Sequence, residues 1–266
     1  MSPERGSRVR PPVAFAILGG LGLVVFALPL ASLLARTPWS ELISLLASDL
    51  VGQALQLSLW TSLLATALSA VLGLPLAWLL ARADFVGKGV MRAIITLPLV
   101  LPPVVGGAAL LFALGRRGLI GAPLYQATGI TLPFSIWGVV LANTFVAMPF
   151  LVITTEAALR GLDPRYEGAA ATLGARRWTV LRKVTAPMIS SSIWAGLVLT
   201  WARALGEFGA TITFAGNLAG RTQTLPLAVF VALESDREAA VAISLVMILV
   251  SLTVLVALRG RWWRTL

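Results

Sequence analysis

Six apolar stretches constrain this chain more than anything else in it: residues 13–35, 50–81, 93–114, 134–154, 189–215 and 239–258. Each can cross ~30 Å of hydrocarbon, which takes about 20 helical residues. Hydrocarbon offers backbone N–H and C=O groups no partner, so such a stretch must pair its own amides as a helix. The expected fold is therefore an all-α integral membrane protein with about six transmembrane helices. Composition agrees, since 58% hydrophobic and 12% charged residues leave too little polar surface for a soluble domain of this length. The first stretch follows Arg5, Arg8 and Arg10, as the core of a secretory leader would. It exceeds the ~7–15 residues of such a core, and no clean A-x-A site follows, so a retained span is expected.

Basic residues give the expected orientation. With the N-terminus inside, fifteen fall on the cytoplasmic side: Arg5, Arg8, Arg10, Arg82, Lys88, Arg92, Arg160, Arg165, Arg176, Arg177, Arg182, Lys183, Arg259, Arg261 and Arg264. Five fall outside (Arg36, Arg116, Arg117, Arg221, Arg237), and Arg203 lies within a span. That asymmetry follows the positive-inside rule, placing both termini in the cytoplasm of a multi-pass cell-membrane protein. The net charge of +10 is thereby accounted for, and nucleic acid is not expected as a partner. The chain has no cysteine and no histidine, which removes thiol chemistry, Cys/His metal sites and an imidazole base. No metal site and no catalytic residue is expected.

No extramembrane segment is long enough for a soluble domain; the longest runs over residues 155–188. The expected organisation is 1–52 (N-terminus, first span, external loop), 53–258 (the transport domain, with a cytoplasmic loop at 159–188) and 259–266 (tail). Within the spans, Ser58, Ser62, Thr66 and Ser69 recur on one helical face. They suit either close packing of helices or a polar pathway. The third stretch carries Pro98, Pro102, Pro103, Gly106 and Gly107, so it should kink or break. Broken helices occur beside wet cavities and at transporter sites, though prolines also serve packing alone. In the fifth stretch Arg203 precedes Glu207 by four residues, with Gly206 and Gly209 alongside. An arginine at mid-span costs roughly 2.5–3.5 kcal/mol unless it faces a partner or a cavity. Glu207 is the obvious partner, with other helices expected to share the charges. A gate position and a structural lock both fit. Pro102, Pro103, Gly106, Arg203, Glu207 and Gly209 are the candidate pathway residues.

The cytoplasmic loop differs from its surroundings. In "GLDPRYEGAAATLGA", Asp163 is a good N-cap, Pro164 suits the first helical position and Gly174 suits the stop. A helix over residues 164–173 follows, about 15 Å long, with a second, basic helix expected from Gly174 to Pro187. Ala169, Ala170 and Ala171 keep one side thin, as contact with another protein would require. Arginines holding lipid headgroups are the other reading.

This loop resembles the EAA loop of ABC-importer permeases of type I, "E-A-A-x3-G-x9-I-x-L-P". Ala169, Ala170 and Gly174 fall on its A-A and G, Val184 on its isoleucine and Pro187 on its proline. Gly168 stands where the glutamate is usual, with Glu167 one residue earlier, and Ala186 replaces the leucine. "LPLVLPPVVGGAALL", "ARALGEFGATITFAGN" and "RTQTLPLAVF" are similar to segments of molybdate permeases, with sulfate/thiosulfate permeases as near relatives. The resemblance covers residues 53–258. It implies a coupling helix seated in a groove of an ATPase, with Asp163, Pro164, Glu167, Gly168, Ala169, Ala170, Gly174 and Pro187 in that role. It also implies two ATPase subunits, a second permease copy in a homodimer, an extracytoplasmic oxyanion-binding protein, and membrane lipid around the bundle. ATP and Mg would sit on the ATPase. The only lysines, Lys88 in "GKGV" and Lys183 in "RKVT", make no P-loop, so no cofactor is expected here and ATP hydrolysis belongs to another chain. Sulfate/thiosulfate or tungstate remain alternative cargoes. An ion-coupled secondary transporter is the competing class, and the scarcity of intramembrane acids argues against it.

Overall fold

Prolines, glycines and a few polar caps set the helix boundaries in the computed structural model, which describes residues 12–262. In chain order the helices are α1 (Val13–Ala35), α2 (Leu42–Leu46), α3 (Asp49–Arg82), α4 (Lys88–Thr96), α5 (Pro103–Leu114), α6 (Gly121–Thr128) and α7 (Ile136–Gly161). They continue as α8 (Pro164–Thr172), α9 (Arg177–Val180), α10 (Ala186–Met188), α11 (Ser190–Leu205), α12 (Gly209–Phe214), α13 (Leu225–Ser235) and α14 (Arg237–Trp262). A 3-10 turn (Leu97–Leu99) follows α4, and a π-helical segment (Leu181–Thr185) joins α9 to α10. No strand occurs among the described residues. Arg5, Arg8, Arg10 and Arg264, which carry part of the charge asymmetry, lie outside them.

The fold is the expected all-α one. Helices α1, α3 and α7 are each long and apolar enough to cross a membrane, and two bent helix pairs raise the count to as many as five. The sixth expected stretch, 239–258, lies within α14.

Two stretches read as single spans are not straight helices. In the third, the arms Lys88–Leu99 and Pro103–Leu114 meet at 118°. Pro102 and Pro103 cannot donate amides to the preceding turn, so the helix stops and restarts there. The second arm, α5, is 12 residues or about 18 Å long, short of a crossing by itself. In the fifth, α11 ends at Leu205, and Gly206–Phe208 intervene before the six residues of α12. Upstream, the single basic helix expected between Gly174 and Pro187 is α9, the π-helical segment and α10, bent 73° from α11. Pro187 has no amide to give the Lys183 carbonyl, which favours a widened turn there. Three helices were not expected: α2, α6 and α13. α13 lies in what reads as an external loop, and it buries Leu225, Leu227 and Ala228.

The bundle centres on α7, with α3 and α11 against it. Small residues make this possible: Ala65 of α3 packs with Val140 and Ala147 of α7 and Ala204 of α11. A methyl group at Gly73 would lie 3.2 Å from Met148 Cγ, and one at Gly196 3.0 Å from Leu151 Cδ1. Between apolar helices in lipid, such close approach is the main source of attraction. The hydroxyl stripe of α3 serves it. Ser62 and Thr66 donate to carbonyls of their own helix, and Ser58 Oγ accepts from the Leu225 amide that opens α13. By contrast α1 contributes no buried residue, exposing Phe15, Phe26 and all its leucines but Leu33.

Candidate coupling loop and pathway

Two places collect the candidate residues. At the centre, α5 crosses α12 at backbone contact. A methyl group at Gly107 would lie 2.7 Å from the Ala210 carbonyl oxygen, and one at Gly209 2.9 Å from Pro103 Cβ. Gly106 faces the Phe145 ring, at 2.9 Å for a hypothetical Cβ. The two broken stretches therefore pack on each other through Pro103, Gly107 and Gly209, while Pro102 and Pro103 stay exposed at the bend. Beside this crossing, the Thr211 hydroxyl donates to Asn143 Oδ1 at 3.3 Å, both residues buried.

Arg203 and Glu207 bracket the break after α11. Arg203 Nη2 lies 2.7 Å from Glu207 Oε2, and the Glu207 side chain is 1% exposed. The other carboxylate oxygen, Oε1, accepts the Ala210 amide at 2.7 Å. Glu207 thus satisfies one of the orphan donors that opens α12 and neutralises the arginine with the same group. Help from other helices was expected; the hydrogen bonds and the ion pair found for Glu207 stay within residues 203–210 instead. The chain can afford an acid here because Gly206 breaks the helix and exposes an amide for it to cap.

The second place is the foot of the bundle, around α8. Asp163 Oδ1 accepts the Arg165 amide at 2.9 Å, Pro164 is the first helical residue, and the helix runs to Thr172. Gly174 takes φ +81°, its amide donating to Ala171 O and the Ala175 amide to Ala170 O. This is a Schellman stop, which needs the left-handed conformation that glycine adopts freely. Arg165, Gly168, Ala169 and Thr172, spaced i, i+3, i+4, i+7, are all exposed and share one face. A methyl at Gly168 would meet nothing within 4 Å. Ala170 is half-buried and Pro187 exposed.

Glu167 points away from that face. Its Oε1 accepts from Arg82 Nη2 at 3.2 Å and from the Thr185 hydroxyl at 2.8 Å. Glu156, its side chain 9% exposed, is paired with both Arg92 and Arg160. Arg160 also donates to the Leu80 carbonyl at 3.1 Å. The sequence placed Glu156 just outside a span, whereas α7 continues to Gly161 and buries it. Reading the sequence also missed Arg82, Arg92, Thr185, Asn143 and Thr211 as site residues. Their partners lie 18 to 85 positions away, and the one local hint was a basic residue at the end of a long helix.

Residues 71–261 match the family described as "Binding-protein-dependent transport system inner membrane component". The chain belongs to this permease family. It is 46% identical over 240 residues to the molybdenum transport system permease protein ModB of Mycobacterium tuberculosis, covering 90% of each chain. To the sulfate transport system permease protein CysT of Escherichia coli it is 36% identical over 236 residues, 87% of this chain and 85% of that one. Among solved structures, a chain of a bacterial ABC transporter that imports the acidic polysaccharide alginate matches with a TM-score of 0.72 at 17% identity, over 95% of each. The fold is that of a type I ABC importer transmembrane domain. As a permease of this kind, the chain is a membrane component of a transport system.

Proposed function

We propose that this chain is the transmembrane subunit of an ATP-driven importer of molybdate. The observation that carries the reading is the contrast in similarity: 46% identity to a molybdenum permease against 36% to a sulfate permease, over nearly equal lengths. Two copies of the chain enclose the pathway, residues 53–258 forming the transport domain of each. An extracytoplasmic binding protein delivers the tetrahedral dianion. Both termini and the foot of the bundle lie in the cytoplasm, where two ATPase subunits bind and hydrolyse ATP with Mg.

Helix α8 is the docking element. It is short, capped at both ends by Asp163 and Gly174, and presents the thin Gly168–Ala169 face that a groove on another protein can approach closely. Rigid-body rocking of the bundle is the motion such a lever serves. In the membrane centre, Arg203 and Glu207 lock the break that starts α12, and the crossing of Pro103, Gly106, Gly107 and Gly209 fixes two broken helices beside the pathway. Surface grooves lined by Trp201, Val246 and Leu249, and by Phe208, Phe230 and Met247, are apolar. Neither groove offers a dianion a charged partner, and choice among oxyanions is assigned to the binding protein.

The test is ATP hydrolysis by the complex reconstituted in liposomes with its binding protein. Molybdate and tungstate should each stimulate it, and sulfate at the same concentration should not. Stimulation by sulfate alone would move the chain to the sulfate branch. Uptake that needs an ion gradient and no ATP would make it a secondary carrier.

A further inference from the structure

The geometry points to Glu167 as a positioning residue: an internal strut that ties the docking helix to two spans, and not a contact with the ATPase. This rests on the reading of α8 as the docking element, and it deepens that reading. The carboxylate lies on the side of α8 opposite Arg165, Gly168, Ala169 and Thr172, the exposed face. One oxygen, Oε1, takes both donors: Arg82 Nη2 from the last residue of α3, and Thr185 Oγ1 from the end of the π-helical segment. Thr185 is 2% exposed, and the side chains of Arg82 and Glu167 are 19% and 25% exposed. Arg82 Nε is buried and makes no hydrogen bond, so the guanidinium depends on Glu167 for its compensation.

The two anchor points are mechanically distinct. Arg82 ends the 34-residue helix α3, which packs along α7. Thr185 sits just before the 73° bend into α11. A π-helical turn beside a proline is a compliant place in a helix. A push on α8 therefore reaches α3 as a thrust along its axis, and reaches α11 as a torque at its bend. Without the strut, α8 remains joined to the bundle only through its chain ends and light packing on its neighbours. Docking would survive and transmission would not. The one-residue offset between Glu167 and Gly168 is what turns the acid inward, because neighbouring positions on a helix point about 100° apart.

The experiment uses the full complex with its ATPase subunits and binding protein in liposomes, with molybdate as the probe. Three variants are compared with wild type: Glu167→Ala, the near-isosteric Glu167→Gln, and Thr185→Val. Co-purification of the ATPase should remain at wild-type stoichiometry in all three. Molybdate taken up per ATP hydrolysed should fall, by about tenfold in Glu167→Ala and about threefold in the other two. The reversed pair Arg82→Glu/Glu167→Arg should recover most of the ratio, whereas either reversal alone should not. Ala169→Arg, on the opposite face, should instead lose the ATPase. Loss of the ATPase in Glu167→Ala would make Glu167 a partner contact and overturn the strut. An unchanged uptake-to-hydrolysis ratio with the ATPase bound would overturn it too. Should the wild-type chain bind no ABC ATPase, the docking reading itself fails and the strut falls with it.

Discussion

The centre of the bundle and its foot both hold buried acids paired with arginines, yet they solve the same problem in opposite ways. At the centre Glu207 finds everything within four residues: Arg203 one turn back and the Ala210 amide one turn on. At the foot Glu156 and Glu167 gather arginines and a hydroxyl from α3, α4, α7 and the π-helical segment. The local arrangement stabilises a break within one element. The distributed one fastens several elements to each other. The first suits a region that holds a fixed kink, and the second a region where several helices keep their places relative to one another.

Removing one partner from each place should separate them by size of effect. Arg203→Met leaves a 1%-exposed carboxylate without its counter-charge, which costs about 3–5 kcal/mol for buried pairs. The thermal midpoint of the purified protein in detergent should drop accordingly. Arg203→Met/Glu207→Gln should recover much of the loss, since the glutamine oxygen still caps Ala210. Absence of coupling in that double-mutant cycle would show that the pair is not the source of stability. Glu156→Ala should cost less, about 1.5–3 kcal/mol, because Arg92 and Arg160 are 41% and 47% exposed and can turn to solvent once freed. A loss at Glu156 exceeding that at Arg203 would reverse the ranking of foot and centre. The smallest change runs the other way. Gly168→Ala adds a methyl to open space inside a helix and should stabilise by about 0.5–1 kcal/mol. A destabilised Gly168→Ala protein would mean that α8 is more crowded than its exposed face implies.

How much of this was legible beforehand follows the range of the interactions. The α8 helix was readable nearly to the residue, because its caps act locally: Asp163 accepts an amide two positions on, and the Gly174 amide donates to a carbonyl three positions back. The first span coincided with α1 for a similar reason: bilayer thickness and an unbroken apolar run define its ends. The break at Pro102–Pro103 was foreseen as a break, but not its 118° angle, which depends on α12 packing against Gly107. α13 was invisible because its start relies on Ser58, a residue 167 positions earlier, to accept its first amide. The inward turn of Glu167 was equally hidden, since Arg82 lies 85 positions away.

By itself, the sequence determined that this chain is a helical membrane bundle, where α1 and α8 begin and stop, and which motif marks the loop between α7 and α11. Those outcomes come from hydrophobicity and from backbone hydrogen bonds that close within a turn. Only the tertiary structure decided how the broken helices meet and which way Glu156 and Glu167 face. Those depend on groups far apart in the chain being brought within 3 Å or so, and short hydrogen bonds and backbone contacts at glycine act only over such distances.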